Sequence, residues 1–320
     1  MLKALADGRF HSGEELGAAL GLSRAAIWKR LQALEALGLD VQSVRGKGYR
    51  VAGGLEFLDE TTLREGMGEA RALPLVLAMT TGSTNEDALA RVRGGDRGPF
   101  AVLAEHQQGG RGRRGRSWVS PLGRNIYLSL AWPFDTGASG LEGLSLATGI
   151  AVAEALSEFG LDGRVQLKWP NDIWVSGRKV GGILTELAGD MDSACVAIIG
   201  VGINGSLPDR LGEDIDQPWT DLARETGQAV PRNALTASLL ARLATTCETF
   251  AEQGFSAFHS CWATYDALAG QAVTLSSGAS TCRGTCEGVS DRGALLLATE
   301  DGVRAFHGGE ASLRPDGERD

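Results

Sequence analysis

The sequence predicts an α+β protein in three parts: a winged helix-turn-helix, a central domain built on one mixed sheet, and a small C-terminal β-barrel. Three observations carry this. Residues 1–54 place two capped helical patterns ahead of a short basic hairpin pattern. Residues 55–268 alternate apolar strand-like runs with two long helical stretches. Residues 269–320 are short β-rich runs cut by glycine and aspartate turns. A chain of 320 residues is also long for one core, so two or three domains are expected.

In the first part, Ser12-Gly-Glu-Glu15 is a capping box that opens a helix ending at Gly21, with Leu16, Ala19 and Leu20 inward. Ser23 caps a longer helix, stopped by Gly38, whose inward stripe is Ile27, Leu31, Leu34 and Leu37. Its other face shows Arg24, Trp28, Lys29 and Gln32. The segment VQSVRGKGYRVA then reads as a hairpin with a basic tip, the wing. Eight cationic side chains stand against five acidic ones in residues 1–54, although the whole chain carries a net charge of −9. That asymmetry points to DNA. Ser23, Arg24, Lys29 and Arg30 are expected in or beside the major groove, and Arg45 and Lys47 on backbone phosphates. The alternative is a small interaction domain with a solvated charged face. The first helix is short, with few residues before Gly8, which would trim this domain. So small a domain reads little sequence alone, which implies a dimer on two half-sites.

In the second part, strands are expected over residues 75–79, 100–104, 125–131, 165–168, 180–187 and 196–201, and helices over 141–159 and 232–253. In the third, runs at 272–275, 282–289, 294–298 and 303–306 alternate with turns at Gly278, Asp291-Arg-Gly293 and Asp301-Gly302. No apolar run approaches bilayer-spanning length and no signal-peptide h-region is visible, so no membrane is expected and the default compartment is cytoplasmic. The five cysteines suit reduced core thiols. Cys282 and Cys286 on one extended strand would lie about 13 Å apart, too far for a disulfide. No histidine completes a zinc set there, and no protein-held metal site is expected.

The chemistry is concentrated in GGRGRRGRSW, residues 109–118, where glycines alternate with arginines and no acid interrupts. Such a segment buries little apolar surface and would order over an anion. It is neither a Rossmann fingerprint nor a Walker A loop, because it lacks the ribose-binding acid and the GK[ST] ending. A second short motif, Lys168-Trp-Pro-Asn-Asp172, supplies one fixed cation. Together they suggest a site that brings a carboxylate and a nucleotide phosphate together.

With these two motifs, five stretches occur in one order: Ser83-Thr84-Asn85, Gln107 through Trp118, Lys168 through Asp172, Lys179-Val-Gly-Gly-Ile183, and Gly200-Val-Gly-Ile-Asn204, with Gly308-Gly-Glu-Ala-Ser-Leu-Arg314 near the end. In these the chain resembles the biotin protein ligases, and with its N-terminal module the bifunctional ligase and biotin-operon repressors. The resemblance covers nearly the whole chain. It implies a winged helix-turn-helix at 1–54, a biotin/lipoate-ligase-like catalytic domain at 55–268 and an SH3-like domain at 269–320.

The resemblance also implies a two-step reaction. Biotin's carboxylate attacks the α-phosphate of ATP, and a lysine of the biotin carboxyl carrier protein of acetyl-CoA carboxylase then takes the biotinyl group from biotinyl-5′-AMP. Mg²⁺ would bridge the triphosphate. Lys168 is expected between the two anions. Ser83, Thr84, Asn85 and Gln107 match biotin-holding positions, and Gly110 and Arg111 line the same pocket. Arg113, Arg114 and Arg116 fall to the adenylate, Trp118 to the adenine face, Asn204 to its edge and Arg314 to the nucleotide. Asp172 either orients Lys168 or assists the amine. His106 is taken as local structure, and Trp169-Pro170 as a rigid turn presenting Lys168. Residues 205–219, acidic at Asp209, Glu213, Asp214 and Asp216, are the expected adenine-side loop. The bound adenylate would favour a homodimer on operator DNA. Three rivals remain open at this point: a regulator without catalysis, a ligase for lipoate or a related acid, and a ligase whose N-terminal domain is vestigial.

Overall fold

The structure is a computed structural model describing residues 1–189, 192–213, 215–277, 280–308 and 311–315. Asp214, Gly278, Gly309 and Glu310, named above, lie outside the described residues.

The N-terminal part packs three helices, α1 (Leu2–Leu5), α2 (Gly13–Leu20) and α3 (Arg24–Ala36), against a hairpin of β1 (Val41–Val44) and β2 (Gly48–Val51). The capping box at Ser12 and Glu15 closes in both directions, at 3.0 and 2.8 Å. Gly21 turns the chain in the left-handed region at φ 64°, a conformation open to glycine at little cost. Leu5, Leu16, Ile27, Leu31, Leu34, Leu39 and Val51 form a separate small core, which Leu122 of the next domain joins. Ala19, expected inward, is exposed. A short two-turn helix spends its buried arc on Leu16 and partly on Leu20, and Ala19 falls outside it.

The central part is a seven-stranded mixed sheet. After α4 (Glu60–Gly66) come β3 (Leu75–Ala78), α5 (Thr84–Arg93), β4 (Phe100–Ala104), β5 (Ile126–Phe134) and α6 (Leu144–Leu156). Then follow β6 (Val165–Lys168), β7 (Asp172–Val175), β8 (Arg178–Gly189), β9 (Cys195–Ile203), α7 (Asp209–Gly212), α8 (Leu222–Thr226), α9 (Arg232–Gln253) and α10 (His259–Tyr265). The strand order is β3-β4-β5-β9-β8-β7-β6, with β3 parallel to β4 and the remaining neighbours antiparallel. β6 and α9 fall on the residues expected of them. β7 and α5 were not anticipated. β7 is a four-residue strand hidden behind a motif, and α5 is polar on most of its surface.

Helices α6 and α9 pack together over one face of the sheet and share its main hydrophobic core. Residues 138–161 are, contrary to expectation, long and apolar enough to cross a bilayer by length and composition, but 67% of an apolar 18-residue window within them is buried within the fold. A helix apolar all round is what a doubly covered core position selects.

The C-terminal part is a five-stranded antiparallel sheet of β10 (Ala272–Ser277), β11 (Ser280–Val289), β12 (Leu295–Thr299), β13 (Gly302–Phe306) and β14 (Ala311–Pro315), in the order β13-β12-β11-β10-β14. Its buried Leu275, Cys286, Leu297 and Leu313 belong to the same cluster as the central sheet. Cys282 and Cys286 both lie on β11 and all five cysteines are free. Burial pushes the Cys286 thiol up to about 11, which keeps it protonated.

Candidate active site

The site is a cavity of about 780 Å³ over the sheet, roofed by residues 111–119 and walled by the β6–β7 hairpin, residues 215–218 and β14. Among the described residues seven lining side chains are cationic, namely Arg111, Arg113, Arg114, Arg116, Lys168, Lys179 and Arg314. Only Asp172 and Asp216 are acidic. The chain is acidic overall, so the positive charge here is local. It faces a partly enclosed space, where it is screened less than on an open surface.

One end of the cavity is a buried polar cluster. The Thr84 backbone N–H donates to Gln107 Oε1 at 2.9 Å, and the Thr84 hydroxyl lies 3.2 Å from the same oxygen. Gln107 Nε2 reaches Ser120 Oγ at 3.3 Å. The Ser129 hydroxyl, on β5, lies 2.7 Å from Thr84 Oγ1 and 2.6 Å from Asn85 Oδ1. Asn85 Nδ2 donates to the Leu184 carbonyl and to Glu186 Oε2 on β8. This cluster exists because Ser83 starts α5 beside the sheet, while Gly200 on β9 leaves room for Asn85. A Cβ at Gly200 would stand 2.3 Å from Asn85 Oδ1. Ser83 is 3% exposed and lines the cavity, although its side chain makes no capping bond.

The other end is the arginine loop. Arg111 is held by two carboxylates, Glu86 at 3.5 Å and Glu186 at 3.4 Å, and so spans the mouth of the polar cluster. Arg113 donates to Asn171 Oδ1 at 3.1 Å and to the Gly308 carbonyl at 2.7 Å. Burial pushes its guanidinium below the usual arginine range, partly opposed by the Asp172 charge, and it stays cationic. Arg114 and Arg116 are exposed, and Arg114 adopts a left-handed backbone at φ 59°. A non-glycine residue there stores on the order of 1 kcal/mol of strain, which a rearranged loop would release. Gly110 does not line the cavity. It lies buried beneath the Trp118 carbonyl and Ser120, where a Cβ would stand 2.7 and 2.8 Å away.

Between the ends lie the lysines. Lys168 closes β6 with its ammonium 4.4 Å from the Trp174 ring centroid. Asp172 stands opposite Lys168 in the hairpin register, but its carboxylate pairs with Lys179 Nζ at 2.6 Å. Asp172 therefore positions Lys179, a residue the sequence motif contained but gave no role. Trp169 is 3% exposed and donates its indole N–H to the Gly293 carbonyl at 3.2 Å, which pins the hairpin turn to the C-terminal sheet. Asn171 fastens the same turn from the other side through the Ile183 carbonyl, at 2.7 Å.

Trp118 seats against the sheet at Gly202 and Gly182. A Cβ at Gly202 would come within 2.7 Å of the indole, so glycine is what lets it seat there. Its Nε1 is buried with no hydrogen-bond partner. Asn204 departs from expectation. It is 6% exposed, does not line the cavity, and donates to the Thr220 carbonyl at 3.1 Å. Buried amides are spent on backbone groups that would otherwise be unsatisfied, and Asn204 ties down the far end of the 205–219 loop. Arg314 lines the cavity from β14. His106 does not line it, and burial lowers its imidazole pKa. Sequence reasoning missed Ser120, Ser129, Asn171, Lys179 and Glu186. The available signal was a lone serine in the apolar run IYLSLAW.

The N-terminal domain presents a second surface. Arg24, Lys29, Arg30, Arg45 and Lys47 are all exposed, and the Ser23 hydroxyl caps α3 at 3.3 Å. Arg30 lies about 200° around the helix from Trp28, so it does not share the face of Trp28, Lys29 and Gln32. It belongs to the flank of the helix.

Three family models match the chain: an HTH domain at residues 1–50, the biotin/lipoate A/B protein ligase family at 84–204, and the biotin protein ligase C terminal domain at 269–314. The bifunctional ligase/repressor BirA of Salmonella typhimurium is 41% identical, covering 98% of this chain and 96% of its own. A biotin–[acetyl-CoA-carboxylase] ligase of Paracoccus denitrificans is 35% identical over 68% of this chain and 91% of its own. The structure of a biotin protein ligase from Aquifex aeolicus in complex with biotin and ATP superposes with a TM-score of 0.65 at 31% identity, covering 76% of this chain and 99% of that one.

Proposed function

Because the chain belongs to the biotin protein ligases, in the bifunctional group that carries a DNA-binding domain, we propose that this cavity activates biotin with ATP and that the arginine loop guards the product. A biotin carboxylate oxygen attacks the α-phosphorus, pyrophosphate leaves, and biotinyl-5′-AMP forms. A carrier-protein lysine, as the free amine, then attacks the acyl carbon and AMP leaves.

Both reactants of the first step are anions, so the barrier is partly electrostatic. A fixed cation between them offsets the repulsion and gains strength as charge builds on the bridging oxygen. Lys168 has that part. It sits on a strand end clamped by Trp169 and Asn171, so little reorganisation accompanies the reaction. The Thr84–Gln107–Ser120 cluster suits the ureido ring, whose N–H groups and carbonyl need both acceptors and donors. Arg113, Arg114, Arg116 and Arg314 suit the phosphates, and Trp118 the adenine face. With Arg111 tethered at the mouth, closure of residues 112–117 over the mixed anhydride would exclude water until a carrier arrives.

Mg²⁺ on the triphosphate fits this site. Among the described residues no cluster of three acidic, histidine or cysteine ligands exists. Mg²⁺ commonly uses substrate phosphates, waters and one or two carboxylates, and Asp172 and Asp216 line the cavity. The ion would supply charge neutralisation of the leaving pyrophosphate.

The observation that carries this reading is the convergence of Lys168 and the arginine loop on one cavity whose opposite end is a preformed polar pocket. Incubation with ATP, Mg²⁺, biotin and a carboxylase carrier domain tests it. The carrier should gain the mass of one biotinyl group, and lipoate offered in place of biotin should add none. A carrier of unchanged mass overturns it.

The N-terminal domain supports a second activity, repression of biotin genes by a homodimer that holds biotinyl-5′-AMP. Its support is a capped helix-turn-helix with a basic wing and its own core. The ligand must prefer the dimer-competent state, and that preference is the coupling energy. Sedimentation with biotin plus ATP should shift monomer to dimer, and an unshifted monomer fraction would refute the coupling.

A further inference from the structure

We propose that Trp28 reads a thymine in the major groove, so that the operator preference of this protein is set in part by a methyl contact. The inference rests on the DNA-binding reading above and adds the base that is read.

Four large apolar side chains are prominently exposed among the described residues, and two of them, Trp28 at 56% and Val44 at 41%, belong to the 54-residue N-terminal domain. Helix α3 has ample apolar residues for its own core, since Ile27, Leu31 and Leu34 are at most 7% exposed. The Trp28 indole is thus surplus to the domain's packing, and an indole left in water forfeits more burial than any other side chain.

Trp28 stands four residues after Arg24 and four before Gln32, and all three are exposed. Side chains at that spacing form one row along a helix. Among the described residues, the catalytic domain's hydrogen bonds to this region fall at the far end of α3 and just beyond it. Leu122 N–H bonds the Leu37 carbonyl at 3.0 Å, and Arg210 bonds the Glu35 and Leu39 carbonyls at 3.3 and 3.0 Å. Trp28 lies about two turns before the first of these carbonyls, on the half of the helix that begins at the capped N-terminus.

The chemistry of the row selects its occupant. Arg24 and Lys29 share the exposed half of α3 with the indole, and Arg45 and Lys47 are exposed on the wing of the same net-basic domain, which favours a polyanion over an apolar protein surface. In a major groove an arginine fork matches guanine, a glutamine matches adenine, and the C5-methyl of thymine is the apolar feature offered. An indole has no acceptor and one donor, so its flat face is suited to that methyl group.

The test is selection from a random duplex pool by the full-length protein with biotin and ATP present. The recovered half-site should hold a thymine at one position. Replacing that thymine with uracil removes only the methyl group and should weaken wild-type binding about fourfold per half-site, the worth of one buried methyl. Trp28→Ala should lose both the thymine preference and the uracil effect, while Trp28→Phe, which keeps an apolar ring, should retain them. Far-UV circular dichroism checks that each variant keeps its helices. A Trp28→Ala protein that recovers the same half-site with the same uracil sensitivity overturns the proposal. If that result comes with weakened ligand-linked dimerisation, the indole belongs to contact with a second copy. A wild-type protein that enriches no sequence at all overturns the DNA-binding reading itself, a separate and recognisable failure.

Discussion

At one end of the cavity Thr84, Asn85, Ser120 and Ser129 are buried and bonded to one another, to Gln107 or to the sheet, while at the other Arg114, Arg116 and Ser117 stand exposed on a glycine-hinged loop. The first end is finished before any ligand arrives. Its polar atoms have partners whose positions are set by strands β5, β8 and β9. The second end has charge in abundance but few contacts to fix it. On the proposed reading the vitamin would meet a pocket needing no assembly, and the nucleotide a loop that it helps to order.

The largest expected effect separates chemistry from binding at both ends. Lys168→Ala should slow biotin-dependent pyrophosphate release by about 100- to 1,000-fold, as loss of a transition-state charge partner does. Calorimetric affinity for biotin should change far less. Equal loss of both would place Lys168 in the binding of biotin rather than in the reaction.

The next test targets the nucleotide end alone. Gly202→Ala puts a methyl group 2.7 Å from the Trp118 indole and should raise the KM for ATP by about tenfold, the cost of overpacking one site. Biotin affinity should be spared. The converse is Thr84→Val, which removes the hydroxyl shared with Gln107 and Ser129. It should weaken biotin binding by about five- to tenfold, in line with one buried hydrogen bond, with ATP kinetics nearly unchanged. Should both variants affect both ligands alike, the two ends are one unit and the contrast fails.

The smallest effect is in pH. Burial holds His106 below its usual 6.5, so the unfolded chain binds the extra proton first. Stability from this group is complete above about pH 6.5 and is lost as pH falls toward the lowered folded value. His106→Gln should flatten the dependence of denaturation midpoint on pH between about 5 and 7 without altering ligase turnover. A turnover defect would give the imidazole a catalytic part.

Much of this was legible in the chain. The capping box, the left-handed Gly21, the long helix 232–253 and strand β6 follow from local rules that act within a few residues. The cationic motifs were legible because glycine and arginine in alternation have few other uses. What was not legible is non-local. Ser129 meets Asn85 only because α5 packs across β5 and β9, and Lys179 meets Asp172 only because β8 folds back on β7. Asn204 illustrates the limit. A side chain beside a ligand loop was expected to face the ligand, and the sheet turned it instead toward the Thr220 carbonyl.

The interior shared by the central sheet and the C-terminal strands has a consequence for how the molecule comes apart. Leu275, Cys286, Leu297 and Leu313 lose their neighbours when the large sheet melts, and Trp169 loses Gly293 when the small one does. Heating should therefore melt the central and C-terminal parts in one calorimetric transition. Removing the last fifty residues should cost the protein its catalytic half, rather than trim an accessory module from it.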